Sequence, residues 1–168
     1  MTAYNGHAIA YDTIGNPTVW YDGTQFTWVN GRRLASAAKG SDTYTYTYNS
    51  DGLRLSKTVN GVQHKYIWQG DTLLSENYGD TTLEFFYDES GAPSSFTYKA
   101  SASASPVTYY YVTNLQGDVV KIIDASGSTV AEYTYNAWCK VLSATGSMAD
   151  INPIRYRAYY YDTESQWR

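Results

Sequence analysis

The chain has 168 residues, a net charge of −4 and a pI near 5.0. Leu, Ile, Val and Phe number only 29, but 19 Tyr and 5 Trp stand beside them. Each buried aromatic removes ~150–250 Å² from water, so these residues build the core and disorder is rejected. The acidic balance argues against nucleic acid as a partner, because phosphate binding needs an excess of Lys and Arg. No run of ~18 apolar residues exists to form a transmembrane helix. Residues 1–10 lack a basic stretch followed by an apolar one, so no signal peptide is expected there. The single Cys139 excludes an internal disulfide and a cysteine-built zinc site.

Glycine punctuates the chain. From Gly15 to Gly91 there are eight intervals over 76 residues, a mean of 9.5, the spacing of successive short strands. Asn5-Gly6, Asp22-Gly23, Asn30-Gly31, Asp51-Gly52 and Asn60-Gly61 are dipeptides that tolerate the positive φ of tight hairpin turns. Between turns the residues alternate. Phe26/Trp28 come first, then the strict run Thr43 to Tyr48, with Tyr44, Tyr46 and Tyr48 on one face. Tyr66/Trp68, Phe96/Tyr98, Tyr109/Tyr111 and Tyr133/Tyr135 follow the same period. Leu34 to Lys39 has the composition of a helical turn but lies between strand signals. Ala100 to Pro106 and Ala144 to Pro153 are expected to be loops. These signals predict an all-β fold, an extended antiparallel meander of about a dozen strands in one region spanning 1–168.

A longer repeat overlies the hairpins. Tyr11-Asp12-Thr13-Ile14-Gly15 recurs as Tyr48-Asn49-Ser50-Asp51-Gly52 and as Tyr87-Asp88-Glu89-Ser90-Gly91. A worn copy begins at Tyr135, and Tyr161-Asp162 begins another. Gly31-Arg32 sits between copies, and Gly117 lies in Tyr111-Val112-Thr113-Asn114-Leu115-Gln116-Gly117-Asp118-Val119-Val120. This series resembles the tyrosine–aspartate (YD) repeats of the rearrangement-hotspot (Rhs) family, in the style of Gram-positive wall-associated members. Residues 154–162 resemble the start of that family's core-associated segment. The resemblance implies a strip of β-hairpins from a spiral shell that encloses a C-terminal toxin. It also implies a secreted or cell-surface parent, with neighbouring repeats and the toxin as partners. In this resemblance Asn136, Cys139 and Ala158 stand where Asp, Gly and Gly are expected. The family's self-cleavage aspartates have no matching positions.

The residues themselves favour a structural role. Asp or Asn after the tyrosine can bond backbone N–H groups two residues on, and a catalytic base would not survive the change to Asn49 or Asn136. His7 and His64 are the only histidines, too few for a metal site. His64 is expected at a surface or edge. Cys139 has no histidine partner in prospect for nucleophilic chemistry. Of Arg32 and Arg33, one is expected in solvent and the other packed on an aromatic ring. No cofactor is expected and the chain reads as non-enzymatic. The alternative reading is a cell-surface adhesion or glycan-binding module built from aromatic hairpins. Free strand edges predict self-association of the isolated chain.

Overall fold

The computed structural model describes residues 3–4 and 6–163. Two compact units emerge, residues 1–79 and 80–168. In the first, β1 (Ala3–Tyr4) pairs with β2 (His7–Ala8). An antiparallel meander follows: β3 (Ala10–Tyr11), β4 (Pro17–Val19), β5 (Gln25–Val29), β6 (Arg33–Lys39), β7 (Asp42–Tyr48), β8 (Arg54–Val59), β9 (Val62–Gln69) and β10 (Thr72–Tyr78). The second unit repeats the plan with β11 (Thr81–Tyr87), β12 (Pro93–Lys99), β13 (Val107–Thr113), β14 (Val119–Ile123), β15 (Thr129–Tyr135) and β16 (Val141–Thr145). One 3-10 turn, Tyr156–Ala158, follows. Within each unit every strand of the meander pairs with the next in sequence, as the short glycine-marked turns require, while β1 and β2 form a separate pair. The meander is therefore as expected, with fourteen described strands beside the separate β1-β2 pair. Residues 34–39 lie in β6 and form no helical turn.

The turns are of two widths. Asn60-Gly61 joins Val59 to Val62 with φ of 48° and 88°, the two-residue turn that matches strand twist. The YD turns are wider. In each, residue i donates its N–H to the carbonyl of i+4 and accepts from the N–H of i+3, as at Asp88 with Ala92 and Gly91 (2.9 and 3.0 Å). Asp51-Gly52 and Asp22-Gly23 are thus not two-residue turns. They close wider ones opened by Asn49 and Trp20.

Aromatic residues recur on one face with a shorter period than the repeat read from Tyr to Tyr. Phe26, Tyr46, Tyr66 and Phe85 are buried and fall 20, 20 and 19 residues apart. Tyr133 holds the same place in β15. The structural unit is thus a single hairpin of about 20 residues, half the 37–39-residue interval. In β7, Tyr46 is buried and Tyr44 and Tyr48 half-buried, while Thr43, Thr45 and Thr47 face solvent. The outer face carries hydroxyl pairs, Thr27–Ser36 at 2.6 Å and Thr47–Ser56 at 2.7 Å.

The same-face neighbours differ between units. In the first, Tyr46 lies opposite Lys57, Lys57 opposite His64, and Tyr66 opposite Glu76. Lys57 and Glu76 are buried. His64 is not an edge residue. Its Nδ1 lies 2.6 Å from Glu76 Oε1 and its ring stacks on Tyr78 at 4.3 Å. In the second unit the corresponding surface is apolar, with Phe96, Val119, Ile122 and Ala131 fully buried.

Candidate functional site

Three parts build the repeated site: a capped turn, a β-bulge and an aromatic clamp. Asp12 Oδ1 accepts the N–H groups of Ile14 and Asn16 (3.0 and 2.8 Å). Asp88 Oδ1 accepts those of Ser90 and Ala92 and the Ser90 hydroxyl. Asn136 Oδ1 takes Trp138 and Lys140 N–H at 2.9 Å each, and Asn49 Oδ1 takes Leu53 N–H at 2.9 Å. Asn and Asp therefore do the same work, which a general base could not. Asn114 and Asp124 open further turns of this geometry. Neither was read as a YD turn in the sequence, although an Asp/Asn with Gly three residues later marks both.

These bonds act on the carboxylates. The Ser90 hydroxyl and then the Ala92 N–H hold Asp88 below its ordinary 3.8, and Ser126 and Ser128 do the same for Asp124. At Asp12 burial pushes upward, but the bonds from Asn16, Ile14 and Gly15 together outweigh it and lower the value. Asp22, paired with Lys39 Nζ at 2.7 Å and bonded by Thr24, falls to about 2.

Two or more residues into the outgoing strand, register slips by one. Thr18, Ala35, Leu55 and Leu74 are the extra residues in the first unit; Ser94, Val120, Val130 and Leu142 are those in the second. A bulge breaks the ladder and increases twist. At Thr18, Ala35, Leu55 and Val120 the carbonyl just before the bulge is met by an aromatic donor from the next strand. Trp28 Nε1 reaches Pro17 O at 2.7 Å, Tyr48 OH reaches Leu34 O at 2.9 Å, Trp68 Nε1 reaches Arg54 O at 2.8 Å, and Tyr135 OH reaches Val119 O at 2.7 Å. Tyr and Trp suit this place because each has an apolar body and a polar tip. At Tyr48 and Tyr135 the tyrosine of the repeat is thus a clamp between consecutive hairpins, and the Asp or Asn that follows the tyrosine is a turn cap.

Arginines add cross-links. Arg32 Nη2 donates to Ile14 O at 3.2 Å. Arg33 donates to Asn49 O and Ser50 O at 3.2 and 3.3 Å. Both therefore tie neighbouring turns through carbonyls: Arg32 is exposed, as one of the two was expected to be, while Arg33 holds carbonyls instead of packing on a ring. Gly52 lies under Arg33, where an added Cβ would come within 2.8 Å of its Nη2. In the first unit Arg54 lies over a ring, its guanidinium 4.9 Å from the Tyr46 centroid.

In the second unit, the loop expected over Ala144 to Pro153 starts later, because Ala144 and Thr145 end β16, and its later part is buried together with Ile154 and Arg155. Met148, Ala149, Asn152, Pro153, Ile154 and Arg155 are all buried. Met148 N–H bonds Val130 O, and Val119 N–H bonds Arg155 O. Asn152, fully buried, accepts from Tyr111 OH at 2.8 Å and donates to Ile154 O at 2.6 Å. Tyr133 OH donates to Ala149 O. Arg155 lies between the rings of Tyr133 and Tyr161 (5.1 and 4.4 Å) and donates to Ala149 O at 2.8 Å. Burial pushes the Tyr111 phenol well above its ordinary 10.0 and raises Tyr133. The segment thus seats on the aromatic face. Asp162 is buried beside it, while the turn expected beyond Tyr161-Asp162 extends outside the described residues.

No group of three or more potential metal ligands occurs among the described residues. No family model matches the chain. Among curated proteins it is similar to the tRNA3(Ser)-specific nuclease WapA of Bacillus spizizenii, with 37% identity over 174 residues and 98% of this chain covered. It is likewise similar to the tRNA nuclease WapA of Bacillus subtilis, with 36% identity over the same share. The chain belongs to the YD-repeat, or Rhs, family. It spans 7% of the length of these curated relatives. Its fold matches a chain in the Photorhabdus luminescens Tc holotoxin pore, with TM-score 0.66, 16% identity, 91% of this chain and 8% of that one. A TcdB2–TccC3 complex matches with TM-score 0.67, 17% identity, 94% and 8%.

Proposed function

We propose that this chain is a non-enzymatic wall segment of a longer YD-repeat shell, one that surrounds an effector carried C-terminal to the repeats. The aromatic clamp supports this reading most directly. It joins three successive hairpins of the first unit, each to the one before, by a side-chain bond as well as the ladder, so hairpins add in series as a wall needs. Neighbouring repeats and the effector are then its partners, and a secreted or surface-located parent follows. Relatives named as tRNA nucleases fit a parent whose chemistry lies outside this segment. The test is limited proteolysis of a full-length parent. The wild-type effector should resist cleavage, and Tyr46→Ala with Tyr66→Ala should expose it. An effector equally sensitive in both would refute the wall reading.

A further inference from the structure

We propose that Asn30-Gly31 is a site of backbone modification, converting to aspartate and isoaspartate, and that Asn60-Gly61 is protected from the same reaction. Both pairs form exposed turns with nearly identical φ: 48° and 87° at the first, 48° and 88° at the second. Glycine at the second place leaves the nitrogen unhindered, since a Cβ at either glycine would meet nothing within 4 Å. The side chains differ. Asn60 Oδ1 accepts Thr43 N–H at 2.8 Å, and its Nδ2 donates to Asp42 Oδ1 at 3.1 Å. The Asn30 side chain is exposed and makes no hydrogen bond to the described residues.

The reaction needs only water. The deprotonated Gly31 nitrogen attacks Asn30 Cγ, the new C–N bond closes a succinimide, and the Cγ–Nδ2 bond breaks with loss of ammonia. Water then opens the ring at one carbonyl to give aspartate or at the other to give isoaspartate. At Asn60 two hydrogen bonds must break before Cγ can rotate into reach, slowing attack at least about tenfold, or ~1.4 kcal/mol.

The turn at Asn30 is a junction. Gly31 O accepts the Nδ2 of buried Asn16 at 2.7 Å, and Asn16 also binds Asp12 Oδ2. Arg32 and Arg33 leave this turn to hold the carbonyls of Ile14, Asn49 and Ser50. Isoaspartate inserts an extra methylene into the backbone there, displacing Gly31 O and both arginines. One chemical event would loosen the two flanking YD turns.

The folded chain is incubated in mildly alkaline buffer and mapped by peptide mass spectrometry, which separates Asn, Asp and isoAsp. Asn30 should convert at least about tenfold faster than Asn60, and the two rates should converge in denaturant. Asp42→Ala should accelerate Asn60 and leave Asn30 unchanged. Equal rates in the folded wild type would overturn the proposal without any variant. So would an Asp42→Ala chain that folds, by circular dichroism, with Asn60 still as slow.

Discussion

At the scale of single residues, positive φ separates drift from design. Cys139 has φ 65° and Ala158 has φ 61°, the left-handed region that costs non-glycine residues about 1–2 kcal/mol. Both are positions where glycine was expected from the repeat. Cys139 nevertheless keeps its turn, because its N–H bonds Asn136 O at 3.0 Å. Cys139→Gly should therefore stabilise by about 1 kcal/mol, read from urea midpoints, and a loss of stability would mean that the thiol packs. The caps make a pH prediction. Asp12, Asp88 and Asp124 are lowered from 3.8, and Asp22 lies at about 2. A depressed carboxylate stabilises the fold above its unfolded value, and that contribution disappears as pH falls through the folded value. The melting temperature should thus drop from about pH 5 toward pH 2. Replacing Asp12, Asp88 and Asp124 by Asn should flatten that fall, since Asn49 and Asn136 make the same cap without titrating.

At the scale of elements, the unit is a hairpin that must hold its neighbour without a second layer of sheet on its outer face. Two kinds of contact do this. The ladder of Phe26, Tyr46 and Tyr66 buries ring area across strands. The clamp satisfies a carbonyl that the bulge removes from the ladder. Tyr46→Ala should cost about 3 kcal/mol, and Thr45→Ala, exposed on the opposite face, well under half that. Equal costs in denaturant titrations would mean that both faces are buried alike. Tyr48→Phe keeps the ring and loses the bond to Leu34 O, so a cost of roughly 1 kcal/mol is expected. A neutral result would show that water replaces the hydroxyl.

At the scale of the whole molecule, the two units solve one problem differently. In the second, residues 148–155 cover the aromatic face and Asn152 locks Tyr111 to Ile154. In the first, the equivalent strand positions carry the polar set Lys57, His64 and Glu76, with Tyr66 and Tyr78 beside them. Asn152→Ala removes the partner of the Tyr111 hydroxyl and of the Ile154 carbonyl at a buried position, and should destabilise by roughly 2–4 kcal/mol. Hydrogen exchange should place the loss in the second unit, at Val119 and Met148 amides. Protection lost evenly over both units would mean that the units unfold as one. Gly146 marks where the chain leaves β16. Its φ is 101°, and a Cβ there would meet the Val130 carbonyl oxygen at 2.2 Å.

Strand content, the one-sided aromatic face and the capping role of Asp12, Asn49 and Asp88 were legible in the sequence. They follow from period-two alternation and from turn chemistry, both of which act within a few residues. The bulges were not legible, because a one-residue slip depends on what the partner strand presents at that register. The aromatic clamp was hidden for the same reason. Trp28 and Tyr48 find carbonyls 11 and 14 residues earlier, across a strand boundary. His64 was misplaced because alternation assigns a face but does not say that Glu76, twelve residues on, faces it. Residues 144–153 read as a loop because Gly146, Asn152 and Pro153 stand among few apolar residues, and that composition does not say that Asn152, or Arg155 just beyond it, is buried. Only the tertiary structure supplies the tyrosine hydroxyls, rings and carbonyls that make their burial possible.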